Sequence, residues 1–115
     1  MLKKSKKPSR QPLEKDFKEK VKAFLETLPN TWFSKIDQKS IRGTPDYICC
    51  INGAFVALEL KRSRKEKMEG TLQSYNLDKI NNEASGTGFF VYPENWLNVK
   101  QVLEGISKEN YYEQK

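Results

Sequence analysis

The residue types best placed to do chemistry in this chain are Asp46 and the triplet Glu59-Leu60-Lys61. The sequence between them folds the two acids together. Asn52-Gly53 is the strongest kind of short hairpin signal, because a type I′ turn needs positive φ at both central residues. With those two as the loop, Ile51 pairs with Ala54, and counting outward sets Asp46 opposite Glu59. Cross-strand neighbours lie about 5 Å apart at Cβ, so two carboxylates would face each other. Lys61, two residues past Glu59, points to the same face of the sheet. Facing carboxylates repel, and the compensating charge is either Lys61 alone or Lys61 together with a divalent cation. With Lys61 alone, the cluster reads as an ordinary salt-bridged sheet end. With the cation it reads as a metal-dependent nuclease site, where bound ions polarise a phosphoryl oxygen and lower the pKa of a water from ~16 toward neutral.

Composition narrows the alternatives. The chain has no histidine, which excludes Ser-His-Asp and Cys-His catalysis, His-based nucleases and Cys-His zinc sites. Any enzyme chemistry in this chain would rest on carboxylates and lysine, with or without a metal. Carboxylate-only ligation favours hard Mg²⁺, or Mn²⁺ in its place, over zinc.

The 115 residues suffice for one domain with a single modest core. Of the net +6 charge, five cations (Lys3, Lys4, Lys6, Lys7 and Arg10) fall in the first ten residues with no acid; the remainder holds 16 basic and 15 acidic residues, a net +1. Such a basic stretch predicts a disordered arm, which would either bind nucleic acid electrostatically or serve only as a solubilising extension. No apolar run is long enough for a signal peptide or a membrane helix. Cys49 and Cys50 are adjacent in an apolar strand, so they point to opposite faces and read as buried small hydrophobes of a reducing cytoplasm.

The elements that must position the acids follow from periodicity. A helix is predicted over 12–28, its buried face formed by Leu13, Phe17, Val21, Phe24, Leu25 and Leu28. Glu14 falls inside that apolar arc. It is either an acid favoured by the helix dipole or part of a site. A strand is predicted over 31–38, then a turn over 39–45 in which Pro45 holds Thr44 extended, then the hairpin 46–51 and 54–60. Apart from the acids and Lys61, both hairpin faces are apolar, which predicts central strands covered on both sides. A helix over 68–82 with Met68, Leu72, Tyr75 and Ile80 inward, a strand over 89–92 and a helix over 94–105 complete the order α-β-β-β-α-β-α. This is an α/β or α+β domain built on a mixed sheet of about four strands flanked by helices. Trp32, Tyr47 and Tyr75 read as core or rim residues rather than base-stacking platforms.

Pro45-Asp46 followed by Glu59-Leu60-Lys61 at the end of the next strand resembles the PD-(D/E)xK nuclease superfamily. The flanking residues Trp32, Lys35, Gly43-Thr44-Pro45-Asp46, Gly53-Ala54-Phe55 and Gln73 are similar to the small viral and phage nucleases of the VRR-NUC type, relatives of Holliday-junction resolvases. The resemblance spans roughly residues 14–92. It implies a restriction-endonuclease-like core over 12–106, after a basic arm (1–11) and before a polar tail (107–115).

The resemblance also implies roles. Asp46 and Glu59 would bind the metal with the carbonyl of Leu60, and Glu14 would match an acid on the family's first helix. Lys61 would orient or deprotonate the attacking water, helped by Gln73. Family members cut DNA, often at branched structures, and the resolvases act as homodimers. Beside such a site the loop Arg62-Ser63-Arg64-Lys65-Glu66-Lys67 becomes a phosphate clamp, with Arg62, Arg64, Lys65 and Lys67 as contacts and Lys35 and Arg42 as further candidates. No base-reading element is visible, so DNA would be recognised by shape. The expected activity is a Mg²⁺-dependent endonuclease of branched DNA in replication, recombination or repair. The alternatives are a nickase or flap nuclease of the same chemistry, and a non-catalytic basic DNA-binding module.

Overall fold

Asn52 and Gly53 both adopt positive φ, 51° and 86°, and the hairpin they close organises the sheet. In the computed structural model, which describes residues 10–37 and 41–108 with the side chains of 10–14 outside that description, the elements run in the predicted order. They are α1 (Arg10–Thr27), β1 (Thr31–Lys35), β2 (Tyr47–Ile51), β3 (Ala54–Leu60), α2 (Leu72–Asn82), β4 (Thr87–Val91), a single 3₁₀ turn (Pro93–Asn95) and α3 (Trp96–Lys108). The fold is α+β, with a mixed sheet in the order β1-β2-β3-β4. β1, β2 and β3 are antiparallel, and β4 lies parallel to β3. A parallel neighbour requires a crossover, and α2 supplies it.

One face of the sheet carries the main core. Tyr47, Cys49 and Ile51 of β2, Val56 and Leu58 of β3 and Val91 of β4 pack under Phe17, Val21 and Leu25 of α1, Leu28 just past its end, and Trp96, Val99, Leu103 and Ile106 of α3. Both helical sets recur every three or four residues, the spacing of a single helical stripe. The Trp96 ring meets Phe17 and Phe24 edge-on at centroid distances of 6.0 and 5.3 Å. Burial of such side chains contributes about 1.5–3 kcal/mol each, the largest favourable contribution to folding.

The opposite face is covered only in part. Leu77 of α2 is buried outside the main cluster and seats on β4, where a Cβ at Gly88 would meet its Cδ2 at 2.8 Å. Ile80 lies against Gly86 in the same way. The other half of this face, over β1 and β2, has no described helix above it. Register aligns Trp32, Cys50 and Phe55 in a row there, with Trp32 64% and Phe55 44% exposed. Cys50 is therefore exposed rather than buried, and the hairpin is fully sandwiched only where α2 reaches it. Of the three aromatics expected at core or rim, Tyr47 is core while Trp32 and Tyr75 project outward.

Several boundaries differ from the sequence expectation for local reasons. α2 begins at Leu72 instead of residue 68, because Gly70 takes φ +75° and Thr71 forms the N-cap, its hydroxyl accepting from the Ser74 amide at 3.1 Å. The stripe facing the sheet is consequently set by Leu77 and Ile80, and Leu72 and Tyr75 are exposed. β1 ends at Lys35, and β4 starts two residues early at Thr87. α3 continues to Lys108, so Ser107, expected to open a polar tail, is buried instead, with its hydroxyl donating to Pro29 O at 2.6 Å. The side chains of Asn30 and Asn52 reach the same helix end, donating to Ser107 O and Ile106 O. Residues 1–9 of the basic arm, including Lys3, Lys4, Lys6 and Lys7, and residues 109–115 lie outside the described residues, as do the side chains of Arg10 and Leu13.

Candidate active site

The hairpin register fixes the relation between the two acids. Ile51 faces Ala54 and Tyr47 faces Leu58; one further step sets Asp46 opposite Glu59. Asp46 lies just outside β2 and is held by two hydrogen bonds. Its main-chain oxygen accepts from the Ile36 amide at 2.8 Å, and its Oδ2 accepts from the Leu60 amide at 2.8 Å. The side chain thus continues the β2–β3 ladder after the backbone has left it. In an extended strand the N–H and C=O of one residue point to the same side, so the Leu60 carbonyl also faces the Asp46 side.

Side chains alternate along β3, so Phe55, Ala57 and Glu59 share the α2 face. Glu59 is 5% exposed, an ionisable carboxyl in a nearly dry setting. Parallel pairing with β4 sets Phe90 beside it. Lys61 follows on the same face, its main chain pinned by the bond from its amide to Val91 O at 2.8 Å. The Lys61 side chain is 10% exposed and its Nζ lies 5.7 Å from the centre of the Phe90 ring. Register and strand alternation thus place two acids and one lysine at the same end of the central strands.

Gln73 stands on α2, which packs on the same face of the sheet. It stands one helical turn before Leu77, on the same stripe. Leu77 sits over Gly88. Four helical residues rise about 6 Å, and two strand residues advance by about the same distance. Because α2 runs antiparallel to β4, Gln73 falls over the neighbourhood of Phe90 and hence of Glu59. It is half-buried. Glu14 belongs to α1 by its backbone, but its side chain lies outside the described residues.

The loop carrying Asp46 is fastened to α2. Asn76 Nδ2 donates to Gly43 O at 2.9 Å, and Gly43 has φ +81°. A Cβ on Gly43 would lie 2.7 Å from Leu72 Cβ and 2.9 Å from Leu72 C, a contact only glycine allows. Beyond this bridge a groove of about 520 Å³ is lined by Thr44, Pro45, Asn76, Lys79, Ile80, Glu83 and Ala84, and Asp46, Glu59, Lys61 and Gln73 are not among its walls.

The basic loop after Lys61 is folded on acids. Glu66 Oε1 accepts from the Arg62 amide at 2.8 Å, and its Oε2 lies 3.8 Å from Lys61 Nζ. Glu94 Oε1 accepts from the Arg64 amide at 3.2 Å. With the backbone so held, Arg62, Arg64, Lys65 and Lys67 project into solvent. Lys35 is paired with Asp37 at 2.9 Å, and that hydrogen bond holds its ammonium above the usual lysine range. Arg42 is exposed on the loop before Asp46. Asn76 and Glu66 are the residues that sequence reasoning missed. The signal for Glu66 is an acid four residues after Arg62 inside a basic run. For Asn76 no local signal exists, because its partner is 33 positions away.

Among the described residues no group of three Asp, Glu, Cys or His side chains gathers at one point. A Mg²⁺ ion does not require one, since it keeps several waters and is commonly held by one or two carboxylates. Asp46, Glu59 and the Leu60 carbonyl are a donor set of that kind, entirely oxygen. No family model, curated protein or solved structure matches the chain. No described helix is long and apolar enough to cross a membrane.

Proposed function

We propose that this chain is a divalent-metal-dependent DNA endonuclease of the PD-(D/E)xK type, with branched DNA such as a Holliday junction as substrate. The observation that carries this reading is the Leu60 amide bond to Asp46, which locks one acid into register with buried Glu59, with Lys61 on the Glu59 face. Two acids in register, Glu59 buried and Asp46 half-buried, offer oxygen ligands of the kind a hard divalent cation takes. Such an ion, Mg²⁺ or Mn²⁺, would supply charge neutralisation at the phosphate and a more acidic water.

The residues of the chain divide the remaining work. Asp46, Glu59 and the Leu60 carbonyl hold the cation. Lys61 offsets charge developing on the phosphoryl oxygens or accepts the proton of the attacking water. Gln73 orients that water. Attack of the water oxygen on phosphorus breaks the P–O bond to the leaving deoxyribose oxygen, which takes up a proton. Arg62, Arg64, Lys65 and Lys67 grip flanking phosphates without reading bases. With the free thiols Cys49 and Cys50, a reducing cytoplasm is the proposed compartment.

The test is cleavage of a labelled four-way junction with Mg²⁺ and with EDTA. Expected are Mg²⁺-dependent paired incisions by the wild type and binding without cutting by Lys61→Ala. A single incision would assign a nickase or flap nuclease. Salt-dependent binding with no cleavage of linear or branched DNA would make the chain a binding module and overturn the enzyme reading.

A further inference from the structure

We infer that Asn76 is a positioning residue for Asp46, acting through Gly43 as a strut between α2 and the loop that bears the acid. The inference rests on the nuclease reading for its purpose but not for its geometry. Asp46 is outside β2, so its place depends on residues 41–45 as well as on the sheet. That loop is closed on itself, with Thr44 Oγ1 donating to Ile41 O at 2.7 Å and the Thr44 amide to the same oxygen at 3.4 Å. Pro45 has a fixed φ and holds Thr44 extended. A turn stiffened in this way transmits to Asp46 whatever fixes Gly43.

Gly43 is fixed by Asn76. The side-chain amide donates to its carbonyl at 2.9 Å from within a half-buried position. The glycine backbone lies so close to α2 that no other side chain fits at its φ of +81°. Asn76 stands three residues after Gln73, and positions three apart share a helix face. One helix thus sets Gln73 directly and Asp46 through the strut. Asparagine suits the role because its amide can donate to a carbonyl, which an isosteric aspartate cannot do.

The experiment uses the full chain, ¹⁵N-labelled and free of metal, and compares Asn76→Asp and Gly43→Ala with the wild type. The readout is hydrogen exchange of the Leu60 amide, which is protected only while Asp46 Oδ2 accepts from it. Expected is exchange about ten-fold faster at Leu60 in both variants, with the Val56 and Leu58 amides unchanged as the control for global unfolding. A parallel Mn²⁺ titration, followed by the spectroscopic signal of the free ion, should show about ten-fold weaker binding in both variants. Wild-type Leu60 protection together with wild-type Mn²⁺ affinity in both variants would overturn the inference. If the wild type binds no Mn²⁺ and cuts no DNA, the nuclease reading fails, yet Leu60 exchange still decides whether Asn76 holds Asp46.

Discussion

The Leu60 amide donates to Asp46 Oδ2 at 2.8 Å, so the strand that carries Glu59 and Lys61 also grips the acid opposite. A hydrogen bond to a charged acceptor contributes about 1.5–3 kcal/mol. Asp46→Asn keeps an acceptor oxygen, whereas Asp46→Leu leaves the Leu60 amide without one. The expected outcome is a melting temperature near wild type for the first and a loss of about 1–3 kcal/mol for the second in chemical denaturation. Both should lose at least about a hundred-fold in Mg²⁺-dependent cleavage, as when an electrostatic contact to the reacting group is removed.

Glu59 is the buried acid of the proposed site. Its carboxyl is buried, one register step beyond the Tyr47–Leu58 pair and so opposite Asp46. Glu59→Gln keeps the shape and removes the charge. In EDTA this variant should melt close to the wild type, because the side-chain shape is kept. Its Mn²⁺ affinity should collapse. A lower melting temperature in EDTA would show that the Glu59 charge is satisfied within the protein itself.

Leu77 seats α2 on β4 above Gly88 and orients the turn that bears Gln73. Leu77→Ala opens a cavity there, which costs about 2–4 kcal/mol. Because α2 then docks less firmly, cleavage should fall more than in Val99→Ala, a core change on the other face, once both are compared at temperatures where they are fully folded. Equal losses of activity would separate α2 seating from catalysis.

The two cysteines should differ sharply. Cys50 is exposed and Cys49 buried, and burial pushes the Cys49 thiol up to about 12 from 9.0. One thiol should react with an alkylating reagent at pH 8 in the native protein, and two after denaturation. Between pH 9 and 12 an unfolded chain releases the Cys49 proton while the native state keeps it. Stability therefore falls as pH rises through that window. Denaturation of Cys49→Val should show a shallower decline over the same range.

Much of this arrangement was legible in the residues. Asn52-Gly53 determines the register of the acids, because its turn geometry leaves one pairing. The stripe Phe17, Val21, Leu25 marks the packing side of α1 for the same kind of local reason, and Leu28 continues it just past the helix end. What escaped depends on distant partners. Of the residues expected inward on α2, Ile80 meets the sheet at Gly86 while Leu72 and Tyr75 are exposed, because Gly70 and Thr71 start the helix at Leu72. Cys50 reads as buried until one knows that no described helix lies over β1 and β2. Ser107 reads as tail until Pro29 is brought beneath it. The roles assigned to Asp46, Glu59 and Lys61 come from chemistry and resemblance, and await the cleavage assay.

The two-residue turn at Asn52-Gly53 has a kinetic consequence. A hairpin so local forms within about ten microseconds, whereas β4 can join β3 only after residues 61–86 have closed over the sheet, a slower step set by loop entropy. The earliest native piece of the chain is therefore also the piece that crowds two negative charges together. Acids directly opposite each other repel, and in the isolated hairpin neither α2 nor β4 has yet closed over them. Glutamine at position 59 should speed refolding and leave the unfolding arm of the chevron almost unmoved.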